Sequence, residues 1–156
     1  MTPAHEALLK EFRDYAKTAP NLPALMERMA KWLHEKKARY NWAGFYLVDP
    51  ADANFLIVGP FAGSFTPNTR IRLTVGLCGL AATSKKTVVV QDVSKDPRYL
   101  AGSSMVKSEI VVPIFAKNKL AAELDIESYF TNTFTPADQE FVEACSAVVA
   151  DYLEKQ

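Results

Sequence analysis

Two kinds of side chain in this sequence have the means to do chemistry: a pair of cysteines and a run of carboxylates. Cys78 stands in the segment Gly76-Leu77-Cys78-Gly79 and Cys145 far along the chain, and neither belongs to a Cys-x-x-Cys pair. Two reduced thiols are therefore expected rather than a dithiol or zinc motif. Cys78 falls at the predicted start of a helix, where backbone N–H groups lower a thiol's pKa. The competing reading is a small buried hydrophobe between Leu77 and Leu80. Cys145 lies on the apolar stripe of the last helix and reads as core.

The carboxylates Glu123, Asp125 and Glu127 alternate with Leu124 and Ile126, and Glu109 sits on the preceding strand. Alternation alone describes a half-exposed strand with one wet face, since lone charges are rarely buried. The other reading is a carboxylate cluster under covering loops, where the charges repel one another and suit an ammonium group. Trp42 and Tyr46 fall on one strand face, opposite Ala43, Phe45 and Leu47. They are either core or an aromatic wall against which the apolar part of a ligand packs.

Other chemistries find little support. His5 and His34 lie on separate helices without acidic or cysteine neighbours at ligand spacing, so no metal site is expected. Gly76-Leu77-Cys78-Gly79 is too short and apolar for a phosphate loop. Ser103-Ser104 has no histidine nearby in sequence to make a hydrolase triad. The 18 Lys and Arg balance the 18 Asp and Glu, so no overall field draws the chain to nucleic acid or an anionic membrane. The longest basic cluster, Lys36-Lys37 with Arg39, reads as a solvated helix end. Met1 to Phe12 lacks the apolar stretch of a signal peptide, and nowhere do 18 apolar residues run together, so a cytoplasmic protein without a membrane span is expected.

The elements that must position these groups follow from periodicity. Residues 4–17 carry Leu8, Phe12 and Tyr15 at helical spacing. A second helix is capped by Asn21, has Pro23 in its first turn, and bears Leu25, Met26, Met29 and Leu33 as its stripe. Strands are predicted from Trp42 to Val48 and Phe55 to Val58, with a turn at Asp49-Pro50. Residues 59–70 hold Gly59-Pro60, Gly63 and Pro67 and read as loop. A short strand near Ile71 to Leu73, a helix over 77–85, a strand from Thr87 to Val90 and a loop from Asp92 to Gly102 come next. Ile110 to Ala116 and Leu120 to Ser128 form a hairpin around Lys117-Asn118-Lys119. Thr135-Pro136-Ala137-Asp138 opens the last helix as a capping box. This order predicts an α/β (α+β) fold, an antiparallel sheet with the terminal helices on one face and long loops over the other.

Several of these segments together resemble the free methionine-(R)-sulfoxide reductases, which are GAF domains. They are Asn41-Trp42-Ala43-Gly44-Phe45-Tyr46-Leu47, Gly59-Pro60-Phe61, Thr69-Arg70-Ile71, Gly76-Leu77-Cys78-Gly79, Ser108-Glu109-Ile110-Val111-Val112-Pro113-Ile114 and Leu124-Asp125-Ile126-Glu127-Ser128. The resemblance implies one GAF domain over residues 1–156, with helices in 1–38, sheet and pocket loops in 40–130 and a closing helix in 135–155. It also implies that Trp42, Tyr46, Glu109, Asp125 and Glu127 face a small amino-acid-like ligand, with Glu127 standing where the family has aspartate. No cofactor is implied, and the terminal helices are expected to pair two copies as a homodimer.

The family's reaction uses a thiolate that attacks the sulfoxide sulfur, a carboxylic acid that protonates the departing oxygen, and a second cysteine that resolves the sulfenic acid. The positions that resemble the attacking and resolving cysteines are Gly102 and Asn68; only Cys78 keeps its sulfur. The family mechanism therefore cannot run unchanged. Three functions remain in view: a binding protein that keeps the pocket without turnover, a divergent reductase that uses Cys78 and an external thiol, and a dimerising interaction module.

Overall fold

In the computed structural model, which describes residues 1–65 and 67–156, Thr2 accepts a hydrogen bond from the His5 amide while the His5 ring accepts one from the Thr2 amide. This reciprocal cap starts helix α1, Pro3–Ala16. Asn21 accepts from the Ala24 amide and starts α2, Leu22–Lys36. Thr135 and Asp138 cap each other's backbone at the head of the closing helix, Pro136–Glu154. The second and last helices start where their capping residues predicted, and α1 runs one residue earlier than the 4–17 expected from periodicity.

Between α2 and the closing helix run six strands: β1 (Trp42–Val48), β2 (Phe55–Gly63), β3 (Arg70–Arg72), β4 (Val88–Val90), β5 (Ser108–Ala116) and β6 (Lys119–Ser128). Helix α3 (Gly76–Ser84) lies between β3 and β4, so the closing helix is α4. The sheet order is β3-β2-β1-β6-β5-β4, with every neighbouring pair antiparallel. Strand β2 continues through residues 59–63, which sequence had assigned to loop. Pro60 is tolerated there because the register with β1 slips at Phe45, a bulge in which Gly59 and Pro60 together oppose one residue. Thr66, inside the same expected loop, lies outside the described residues. Helix α3 spans 76–84 rather than 77–85, and Lys85 turns its end with a left-handed φ of 60°.

Each face of the sheet has its own core. On one face Ala43, Phe45, Ile110, Val112, Ile114, Leu124 and Ile126 pack beneath Leu9, Phe12, Leu25, Met29, Leu33, Phe141 and Val149 from α1, α2 and α4. On the other, Trp42, Tyr46, Leu56, Ile71, Val88, Val90 and Val111 pack against Leu77, Cys78 and Ala81 of α3 and against Val93 and Val106 of the long connections. The period of two along the strands makes this division. Among the described residues no helix is long and apolar enough to cross a membrane.

Candidate ligand pocket

The sheet register brings the singled-out residues into rows. Trp42 of β1 pairs with Glu127 of β6, and Glu127 pairs with Glu109 of β5. One step along, Gly44 pairs with Asp125, and one step further Tyr46 pairs with Glu123. Because the strands alternate, all of these residues point to the loop-covered face. Glycine is required at position 44: a Cβ there would stand 2.6 Å from both Phe61 Cβ and Trp42 Cη2. The vacancy lets the indole lie flat between aromatic rings, 5.5 Å from Phe61 and 5.8 Å from Phe65, both stacked, with Tyr46 tilted at 6.3 Å.

The strand face read by alternation as potentially wet is buried. Glu109, Glu123, Asp125 and Glu127 are at most 6% exposed. Among the described residues none of them makes an ion pair. Burial raises the pKa of each, and mutual repulsion raises Glu109, Glu123 and Glu127 further. Asp125 is pushed up to about 6, burial outweighing its interactions with Glu109 and Cys78. Each of these carboxyls therefore holds its proton more tightly than a free one, and the cluster is stabilised by any cation that enters. Burial likewise pushes the Tyr46 phenol up, and its hydroxyl donates to the Asn68 carbonyl at 2.8 Å, fixing the loop above it. Trp42, fully buried, and Tyr46 are both core residues of this face, and of the two only Tyr46 lines the cavity among the described residues.

Cys78 is in the first turn of α3, as expected, but its thiol is not activated there. It is buried, and its pKa is driven well above the ordinary value by burial first and then by Asp125, Glu123, Glu109 and Glu127. The local negative charge and the loss of solvent outweigh the favourable helix terminus. Its sulfur lies 3.7 Å from Asp125 Oδ2. Cys145 is buried in the helix-side core, as read from sequence.

Loops close over these groups. A small cavity is lined by Tyr46, Asn68, Cys78, Gly102, Asp125 and Glu127. It encloses about 20 Å³, room for about one water, so an amino-acid ligand requires the cover around Asn68 and Gly102 to part. Asn68 Nδ2 donates to the Ala101 carbonyl at 3.3 Å, one of the ties within it. A Cβ at Gly102 would sit 3.8 Å from Glu127 Oε2 and 3.9 Å from Asn68 Nδ2, with Phe65 Cε2 at 3.2 Å. The two positions that resemble the family's cysteines thus face each other across the acids, and neither carries sulfur.

Sequence reasoning left Glu123 and Phe65 out of the site. Glu123 continues the period-two row of Asp125 and Glu127, which is the signal that would have found it. Phe65 arrives from a loop, and no pattern announces it. The histidines have structural tasks. The His5 ring stacks on Phe141 at 4.5 Å and lies 3.5 Å from Asp138, and His34 Nδ1 meets the Tyr40 carbonyl at 2.9 Å.

The GAF domain family model matches residues 22–153. In overall shape the chain superposes on a Neisseria meningitidis free methionine-R-sulfoxide reductase, solved in complex with its substrate, with a TM-score of 0.91 and 30% identity over 99% of this chain and 92% of that one. This chain belongs to the free methionine-R-sulfoxide reductase family of GAF domains. It is 32% identical over 117 residues to the Escherichia coli free methionine-R-sulfoxide reductase, covering 75% of this chain and 68% of that protein. With the Saccharomyces cerevisiae enzyme of the same name it shares 39% identity over 110 residues, 70% of this chain. That match spans 61% of the yeast protein, less than two thirds of its length.

Proposed function

We propose that this member of the family binds a free amino acid, with methionine sulfoxide as the first candidate, and does not run the family's thiol cycle. The observation that carries the reading is a pocket with buried, unpaired acids and an aromatic wall in which the position aimed at the acids, 102, is glycine. Glu109, Asp125 and Glu127 hold the ligand's ammonium group, which supplies the positive charge that cluster lacks. Trp42 and Tyr46 pack its apolar side chain. The Neisseria meningitidis free methionine-R-sulfoxide reductase, solved in complex with its substrate, supports this reading.

Reduction through Cys78 and an external thiol is the weaker reading, because a thiol held protonated among carboxylates is a poor nucleophile. Ligand-detected NMR with free L-methionine sulfoxide tests the binding claim. Line broadening should be lost in Glu109→Ala and in Asp125→Ala; broadening unchanged in both variants defeats it. Pairing of two copies is a separate proposal, supported by the groove between α1 and α4 lined by Ala16, Ala144, Ala147 and Val148. Light scattering that reports a monomer at micromolar concentration removes it.

A further inference from the structure

Two buried groups in the pocket floor are not used by the amino-acid reading: the Cys78 thiol and the Glu123 carboxylate. Both come from elements held rigidly, α3 and the middle of β6, and both are nearly or wholly inaccessible to solvent. One donor atom each from Cys78, Glu109 and Asp125 lie within 4.8 Å of one another. The three residues stand on α3, β5 and β6, so no spacing in the sequence reveals their meeting.

The donors have spare capacity. Asp125 is 3% exposed, and its Oδ1 has no hydrogen-bond partner; Glu123 is fully buried, and neither of its oxygens has one. Glu123 precedes Asp125 by two residues on β6, so the strand alternation points both carboxylates to the same face, beneath Cys78 of α3. Buried polar atoms of this kind ordinarily find a partner, and a cation is the partner that three carboxyl groups and a thiol would share. The donor set selects among cations. Calcium and magnesium take oxygen ligands alone, whereas zinc takes a thiolate together with carboxylates. One donor pair already stands at the separation such an ion requires. With Zn–S near 2.3 Å and Zn–O near 2.1 Å, a tetrahedral ion separates those two donors by about 3.6 Å, and Cys78 Sγ stands 3.7 Å from Asp125 Oδ2.

We propose that Cys78, Glu109, Asp125 and Glu123 form a binding site for a divalent metal ion of the zinc class in the pocket floor. Binding displaces the thiol proton and the protons held on the ligating carboxyls into solvent, and no redox change is involved. The site does not rest on the amino-acid reading, since it depends on two residues that reading leaves idle.

Cobalt(II) is the probe. Added to reduced, chelator-stripped protein, it should bind with a stoichiometry of one and give a thiolate-to-cobalt charge-transfer band in the near ultraviolet. Zinc should displace it with release of protons, read by a pH indicator. Cys78→Ser should abolish the band, and Glu123→Gln should raise the cobalt Kd at least about tenfold, the step that corresponds to 1.4 kcal/mol. Cys145→Ser, remote from the pocket, should leave both unchanged. Far-ultraviolet circular dichroism checks that each variant is folded. Should Cys78→Ser not fold, Asp125→Asn takes its place and should also lose the band. No band in folded wild-type protein with cobalt in excess overturns the site, as does a band that persists in either folded variant. Methionine sulfoxide binding is measured on the metal-free protein. Its presence without cobalt binding removes the metal site alone, and its absence beside a cobalt band removes the amino-acid reading alone.

Discussion

The two faces of the sheet exclude water equally well and for different ends. On the helix-covered face Cys145 sits among Phe141, Val142 and Val149, and burial is what raises its thiol pKa. On the loop-covered face Cys78 is also buried, but carboxylates surround it and raise its thiol further. The helix side is stabilised by hydrocarbon contact, and among the described residues it holds no buried side-chain polar atom without a partner. On the pocket side, dehydrated acids that nothing neutralises lie in a core otherwise built of valine, tryptophan and tyrosine. Since unpaired burial of polar and charged groups costs free energy, the difference marks the pocket side as the one organised for a ligand.

The largest separation of the two faces should come from the helix side. Phe141→Ala removes a fully buried ring and should cost about 3–5 kcal/mol in urea unfolding. Its effect on methionine sulfoxide affinity should be small. A ligand affinity that falls with stability would show that the two faces are not independent.

Next in size is the return of sulfur to the pocket side. The combined Gly102→Cys and Asn68→Cys exchange places two thiols beside Glu127. It should raise reduction of free methionine sulfoxide by about a hundredfold over the protein-free control, the scale a positioned acid contributes to such a step. The backbone at 102 accepts a side chain after a small shift of Phe65, so folding should survive. No gain in a folded double variant would mean that the acids are no longer placed for chemistry.

The acids also predict a pH dependence. The folded-state value of Asp125, about 6, lies above its ordinary 3.8, so the folded state binds that proton more tightly than the unfolded chain does. Stability should therefore fall as pH rises from about 4 through 6, and the raised values of Glu109, Glu123 and Glu127 carry the loss higher. Glu123→Gln removes one such group and should stabilise the metal-free protein at pH 8 by about 1–3 kcal/mol. Its thermal midpoint should change less between pH 5 and pH 8 than that of the parent. A destabilised Glu123→Gln would show that the carboxylate has a partner. The smallest effect belongs to the surface: Lys10→Ala breaks the exposed pair with Asp14 and should change stability by less than about 0.5 kcal/mol in the same assay.

Much of this was legible in the sequence, wherever local rules govern. The caps Asn21 and Thr135 bond within the first turns of their own helices, and α2 and α4 begin at these expected caps. The two-residue period put Trp42 and Tyr46 on the face opposite Phe45, where the structure has them. Rules failed where neighbours in space decide. Gly59-Pro60 looks like a loop until β1 supplies the bulge that accommodates it. For Cys78 the sequence leaves an activated thiol and a buried one side by side, and only the acids of β5 and β6 closing around it decide for the buried one. Glu123 reads as a solvated strand residue because nothing in its local sequence reports the cover of α3 and the loops.

The central claim is that the pocket has kept its ligand and lost the family's reaction. Its most direct test mixes the reduced protein with free L-methionine sulfoxide and excess dithiothreitol and follows the ligand by NMR. The account predicts broadening of the ligand signals with no methionine formed above a protein-free control. Methionine appearing above that control, and vanishing in Cys78→Ser, would contradict it and return the thiol chemistry to Cys78.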